Sequence, residues 1–123
     1  MVLTISTFVL PIGHNHMMAP TFLTEDKPIY GKVERLSPFV RRIVAHNPSH
    51  FTYHGTGTFL VGAPNSDRIA IIDAGPNDEL HVEAVLEAVR NQKVTHLLVT
   101  HTHPDHSPAT STLKEATGAT TFG

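Results

Sequence analysis

The chain has no cysteine among its 123 residues. That excludes a disulfide framework and any thiolate metal site, and it fits a reducing compartment. Neither sign of charge dominates. Nine Lys and Arg against eleven Asp and Glu leave a formal net charge of −2 and a pI near 6.5, so charge gives no reason to expect general binding to nucleic acid or a membrane surface. A locally basic groove is still compatible with this composition. No apolar run approaches the roughly 20 residues of a membrane helix, and the apolar start, residues 1–12, lacks the basic beginning and small-residue cleavage site of a signal peptide. Internal repeats, low-complexity segments and a domain-splitting linker are also missing. With 40% hydrophobic residues, the chain reads as one soluble, cytoplasmic domain with a modest core and no membrane partner.

What the chain does have is histidine, ten in all. Three of them fall within His101-Thr102-His103-Pro104-Asp105-His106, directly after the apolar run Val94-Thr95-His96-Leu97-Leu98-Val99. Side chains alternate faces along a strand, so a strand ending there delivers His101 and His103 to one side. If a helix starts near Asp105 and His106, those side chains return beside the first pair. Imidazole and carboxylate suit zinc and other borderline divalent ions. One pair can hold one ion while the other pair reaches a second, about 3.5 to 4 Å away, as in a hydrolytic two-metal clamp. A histidine-rich surface turn is the plain alternative; the preceding strand and the added Asp-His weigh against it. His14 and His16 lack that context, lying in an irregular Pro- and Gly-bounded stretch with no acidic companion, and read as without functional consequence.

Taken in order, residues 2–12 alternate loosely as a strand and Gly13 to Pro20 reads as loop, with Met17 and Met18 as packing residues. Residues 21–37 support no assignment. Phe39 to Val44 reads as a strand; Arg41 and Arg42 could be substrate contacts, but a solvated strand edge is the favoured reading for a lone basic pair. Phe51 to Tyr53 and Gly57 to Val61 are strand material. The turn Ala63-Pro64-Asn65-Ser66-Asp67 joins the latter to Arg68 to Asp73 as a hairpin. Asn77 or Asp78 can cap a helix over residues 78–91 with Leu80, Val82, Val85, Leu86 and Val89 on its buried face. Lys93 to Val99 is then a buried strand. Ser107 to Thr117 forms a short helix carrying Ala109, Leu113 and Ala116 inward, closed by Gly118, and Ala119 to Phe122 begins another strand. The order is α/β, with the histidine cluster at the carboxyl ends of strands, where open α/β sheets place ligands.

Val99-Thr100-His101-Thr102-His103-Pro104-Asp105-His106-Ser107 resembles the His-x-His-x-Asp-His signature of the metallo-β-lactamase-fold hydrolases. Gly55 to Gly62 looks like an early strand of that superfamily, and Ile71-Ile72-Asp73-Ala74-Gly75 looks like its Asp-x-Gly strand end. With Asn47-Pro48 and His106-Ser107-Pro108-Ala109, these stretches point to the branch that includes β-lactamase-like protein 2. The resemblance covers about residues 40–123, and Gly57 stands where an Asn is more usual. It implies that His101 and His103 bind a first zinc and Asp105 and His106 a second. It also implies that Asp105 handles a proton and that Asp73 orients the site from behind the ligands. Iron or manganese would suit the same donors.

The family fold is a four-layer αβ/βα sandwich of two similar halves, with further ligands in the second half, so the chain resembles the first half of such a domain. The expectation is a single incomplete domain over residues 1–123, in which residues 1–37 are poorly assigned and residues 38–123 carry the motif. Alone it offers two ligands per metal, fewer than the three usual at catalytic zinc, and leaves one face uncovered. Weak metal binding, little activity and self-association through that face are expected. The function implied is hydrolysis by a metal-bound hydroxide of an ester, thioester, amide or phosphodiester, in a small-molecule or nucleic-acid substrate. The alternatives are another metallohydrolase with His-x-His at a strand end, disfavoured by Asp105-His106 and the Asp-x-Gly strand, and an inactive metal-binding or interaction module.

Overall fold

The computed structural model of the chain describes residues 26–50, 52–100 and 107–123. They build one six-stranded sheet whose spatial order follows the chain: β1 (Glu34–Ser37), β2 (Val40–Val44), β3 (Gly57–Val61), β4 (Arg68–Ile72), β5 (Lys93–Leu98) and β6 (Thr120–Phe122). β1 to β4 run antiparallel, with short turns from β1 to β2 and from β3 to β4 and a longer connection over residues 45–56 between β2 and β3, whereas β4, β5 and β6 run parallel. The parallel pairs require crossovers, supplied by α1 (Glu79–Ala88) and α2 (Thr110–Thr117). Both crossovers step the same way across the sheet, and right-handed connections then put both helices on one face.

The register makes the two faces unequal. Leu60, Ile71 and Leu97 lie side by side on β3, β4 and β5 and are fully buried, joined by Ile43, Ile69 and Val94 from the strands and by Val82, Val85, Val89 and Leu113 from the helices. The neighbouring row, Phe59, Ile72, Leu98 and Phe122, points away from the helices. Its first three members are only half-buried, and Phe122 is exposed. Among the described residues no helix packs over this row. A register shift between Ile69 and Ala70 leaves Thr95 without a partner on β4, which resets the alternation so that Val94 and Leu97 both reach the core.

The expected elements from Gly57 onward are present with ends shifted by a few residues. Three side-chain assignments are corrected. Arg41 and Arg42 are half-buried on β2, which lies between β1 and β3 and is not a solvated edge. Leu80 is 75% exposed and its place in the core is taken by His81, 2% exposed. At 3.6 residues per turn, Leu80 lies roughly 140° around the helix from Val85, whereas His81 shares the face of Val82, Val85 and Val89. Ala116 is likewise exposed, and only Ala109 and Leu113 of the expected trio turn inward. β1 falls in the stretch that supported no assignment. Residues 52–54 form no strand beyond one bridge from Ser49 to Tyr53. The strand read over residues 2–12, and His14, His16, Met17, Met18 and Phe51, lie outside the described residues. Among the described residues, no helix is long and apolar enough to cross a membrane.

Leu113→Ala should therefore cost about 2–5 kcal/mol, the usual range for a buried leucine, and Leu80→Gln should stay within about 0.5 kcal/mol of the parent. Urea unfolding of both variants checks this; equal losses would contradict the assigned helix face.

Candidate metal centre

β4 and β5 end together, with Ile72 beside Leu98, and the chain beyond them carries the groups that matter. Asp73 continues the pairing by donating its N–H to the Leu98 carbonyl at 2.8 Å. Its φ is +58°, the left-handed region that a non-glycine residue enters at a cost. Two hydrogen bonds offset that cost: Oδ1 accepts the Thr100 N–H at 2.8 Å and Oδ2 accepts the Thr100 hydroxyl at 2.7 Å. The Asp73 residue is only 6% exposed, and hydrogen bonds to a carboxylate are strongest away from water. Thr100 is thereby fixed, and the next residue in the chain is His101.

The other end of the motif is tied to the same turn. Ala109, fully buried ahead of α2, donates its N–H to the Gly75 carbonyl at 3.0 Å. Segment 101–106 thus leaves from a residue held by Asp73 and is followed, three residues on, by one held by Gly75. His101, His103, Asp105 and His106 themselves lie outside the described residues. Among the described residues, no three His, Asp or Glu side chains gather closely enough to hold a metal ion. The chemistry of the donor set, three imidazoles and a carboxylate, fits borderline divalent ions, and the anchored turn fits the supporting role that carboxylates play behind metal ligands.

The turn rests on His81. Its Nε2 is 3.1 Å from the Ala74 carbonyl and 2.9 Å from Thr58 Oγ1. A carbonyl only accepts, so Nε2 carries the proton and Nδ1 keeps a lone pair. Nδ1 is buried without a hydrogen-bond partner among the described residues. Burial holds the His81 pKa below its ordinary value, against the opposing pull of the Ala74 hydrogen bond and the charge of Asp78. Gly75, at φ +84°, is required here, because a Cβ would sit 2.8 Å from His81 Nε2. The sequence reading passed over His81 by counting only apolar residues on the helix; its position four residues before Val85 was the available signal.

One strand away, Asn47 braces the start of β3. Its Oδ1 accepts the Thr56 N–H at 2.8 Å and its Nδ2 donates to Thr56 Oγ1 at 3.0 Å. Gly55 passes so close to Ala45 that a Cβ would run into the Ala45 carbonyl. The remaining described histidines are dispersed: His46 stacks on Tyr30, His50 is exposed, His54 lies tilted against Tyr53, and His96 stacks on Phe122.

The sequence pattern of the metallo-beta-lactamase superfamily matches residues 52–123. The chain belongs to the metallo-β-lactamase superfamily. It is 42% identical over 77 residues to an atrochrysone carboxyl ACP thioesterase of Pseudocercospora fijiensis, a match spanning 61% of this chain and 22% of that relative. It is 36% identical over 86 residues to a beta-lactamase-like protein 2 homolog of Caenorhabditis elegans, spanning 68% of this chain and 28% of that one. The chain therefore spans about a quarter of the length of these relatives. The crystal structure of a beta-lactamase domain protein from Burkholderia ambifaria superimposes with a TM-score of 0.58 at 24% identity, over 76% of this chain and 30% of that one. That likeness confirms the metallo-β-lactamase α/β fold for the part of it this chain covers.

His81 makes the fold sensitive to acid. Its folded-state pKa is lowered, so the unfolded chain takes up a proton near the ordinary value of about 6.5 while the folded chain resists it. Stability should be constant above that pH and fall as pH drops below it, until the folded His81 also protonates, with a slope of at most about 1.4 kcal/mol per pH unit. His81→Gln keeps a donor for Ala74 and removes the titration. The urea midpoints of parent and variant, compared between pH 7.5 and pH 5, should therefore converge on acidification; parallel curves would contradict the assignment.

Proposed function

We propose that this chain carries the metal-binding half of a dinuclear zinc hydrolase whose substrate is a thioester. The observation that carries the reading is the attachment of both flanks of segment 101–106 to the single turn Asp73-Ala74-Gly75. A metal site needs its ligands held within a few tenths of an ångström, and rigid flanks supply that at low entropic cost. His101 and His103 would hold one ion and Asp105 and His106 the second. When bound, the metal pair lowers the pKa of a water and stabilises the negative charge that develops on the substrate oxygen.

The rest is done by the chain's own groups. Asp73 holds Thr100, and with it the start of the ligand segment, in one orientation. Asp105, within the ligand set, accepts and returns a proton as the thiolate leaves, a role that suits a carboxylate placed beside a cation. A thioester is the substrate class favoured because relatives at 35–42% identity are named as acyl carrier protein thioesterases. Zinc is favoured over iron or manganese by the histidine-rich donor set. The apolar row Phe59, Ile72, Leu98 and Phe122 is the surface through which this chain would meet further polypeptide, including a second copy of itself.

The test uses the full translation product of the gene that contains these residues. Zinc content by mass spectrometry, and thiol release from an acyl thioester, should both be lost on treatment with a chelator and restored by zinc. His103→Ala and Asp105→Ala should each lower turnover by 100-fold or more, an effect on the order of 3 kcal/mol or more. Chelator-resistant turnover that survives both substitutions would overturn the proposal, and a metalloenzyme inert toward thioesters but active on another acyl or phosphoryl substrate would overturn the substrate assignment alone.

A further inference from the structure

At the end of the sheet remote from Thr100, two arginines stand directly opposite one another. Arg35 on β1 pairs with Arg41 on β2, and like charges in that position destabilise a sheet. The adjacent row shows the ordinary solution: Glu34 pairs with Arg42, and Arg42 Nε donates to Glu34 Oε1 at 3.0 Å. No such partner serves Arg35 and Arg41, since among the described residues neither guanidinium forms an ion pair with a carboxylate. Their acceptors are neutral. Arg41 donates from Nη1 to the Ala88 carbonyl at 3.2 Å and from Nη2 to Gln92 Oε1 at 2.6 Å. Arg35 Nη1 donates to the Pro38 carbonyl at 3.2 Å. Each guanidinium has five N–H donors, so most of them stay available to a ligand.

These two side chains line an open concavity of about 220 Å³, together with Phe39, Gly62, Pro64 and Gln92. Gly62 packs tightly against the start of β4, where a Cβ would lie 2.8 Å from the Arg68 carbonyl. Hydrogen bonds to the Ala88 carbonyl and to Gln92 hold Arg41 in place, so little freedom would be lost on binding an anion. Burial, and after it the charge of Arg35, makes the protonated state of Arg41 costlier than in water, a cost that an anion between the two would relieve.

We propose that this pocket binds a phosphate group, either free phosphate or the end of a small phosphorylated molecule, between the guanidiniums of Arg35 and Arg41. Guanidinium forks match tetrahedral oxyanions in a bidentate manner, and a dianion would neutralise the unmatched pair. The site is separate from the metal centre. Its lining residues Gly62 and Gln92 directly follow β3 and precede β5, whereas Thr100 lies beyond the other end of β5.

The test is a nuclear magnetic resonance titration of the chelator-treated protein with inorganic phosphate at pH 7.5 and low ionic strength, with chloride as the ionic control. Metal-free protein removes coordination of phosphate at the other end of the sheet. The expected result is saturable shifts of the Gln92 side-chain amide and the Gly62 N–H, not reproduced by chloride, with affinity at least fivefold weaker in Arg35→Gln. Arg35 is exposed and outside the core, and its removal relieves the like-charge pairing, so that variant should unfold at or above the parent midpoint. Arg41→Lys, which keeps the charge and loses the fork, should also bind more weakly. Glycerol phosphate binding at least threefold tighter than inorganic phosphate would assign the site to a phosphorylated molecule, and equal binding would assign it to the free ion. Shifts confined to residues around Thr100, shifts matched by chloride, or unchanged affinity in Arg35→Gln would overturn the proposal.

Discussion

Three residues, Asp73-Ala74-Gly75, hold the working end of this chain together, and each does so with a different group. The carboxylate of Asp73 fixes the residue that precedes the histidine motif. The carbonyl of Gly75 fixes Ala109 at the threshold of the next helix. The carbonyl of Ala74 faces inward to the buried His81. A turn with a non-glycine residue at φ +58° followed by a glycine at φ +84° is not what a relaxed chain adopts. It persists because α1 packs against it from below and the strand ends clamp it from the sides. The imidazole of His81 thus joins the helix layer to the turn Asp73-Ala74-Gly75.

Much of this was legible in the sequence because the local signals agree with one another. β3 and β4 were marked by β-branched and apolar residues on either side of a Pro-Asn-Ser turn, and α1 by the spacing of Val82, Val85 and Val89. Asp73 stood out by its place at a strand end before Ala74-Gly75, and the structure gives it a partner in Thr100. Other features could not be read locally. Leu80 looked like a core residue by type, and only the angular arithmetic of the whole helix puts it in solvent. β1, with the sequence Glu-Arg-Leu-Ser, has no alternation of its own and exists because β2 offers it an edge to pair with. The unpaired Thr95 in β5 belongs to the register between two strands, which no single strand reveals. The like-charged pairing of Arg35 with Arg41 is also a matter of register; from sequence the arginine worth weighing beside Arg41 was its neighbour Arg42, which instead meets Glu34.

The two faces of the sheet divide the molecule's tasks. One face is closed by α1 and α2 and supplies the buried apolar contact that stabilises the fold. The other presents Phe59, Ile72, Leu98 and Phe122 with no helix over them among the described residues. The chain spans about a quarter of the relatives it matches. The two ends of the sheet divide as well, with the metal motif following β5 at one end and the arginine pair at the other.

The most direct measurement of this account is the zinc affinity of Asp73→Ala beside that of the parent, by competition with a chelator of known affinity, with urea unfolding of each to monitor the fold. If the turn positions the ligands, the variant should unfold cooperatively and bind zinc about 10–100-fold more weakly, the usual cost of losing an outer-shell carboxylate. Equal zinc affinity in the two proteins would show that segment 101–106 holds its metal without the anchor, and the account would fail.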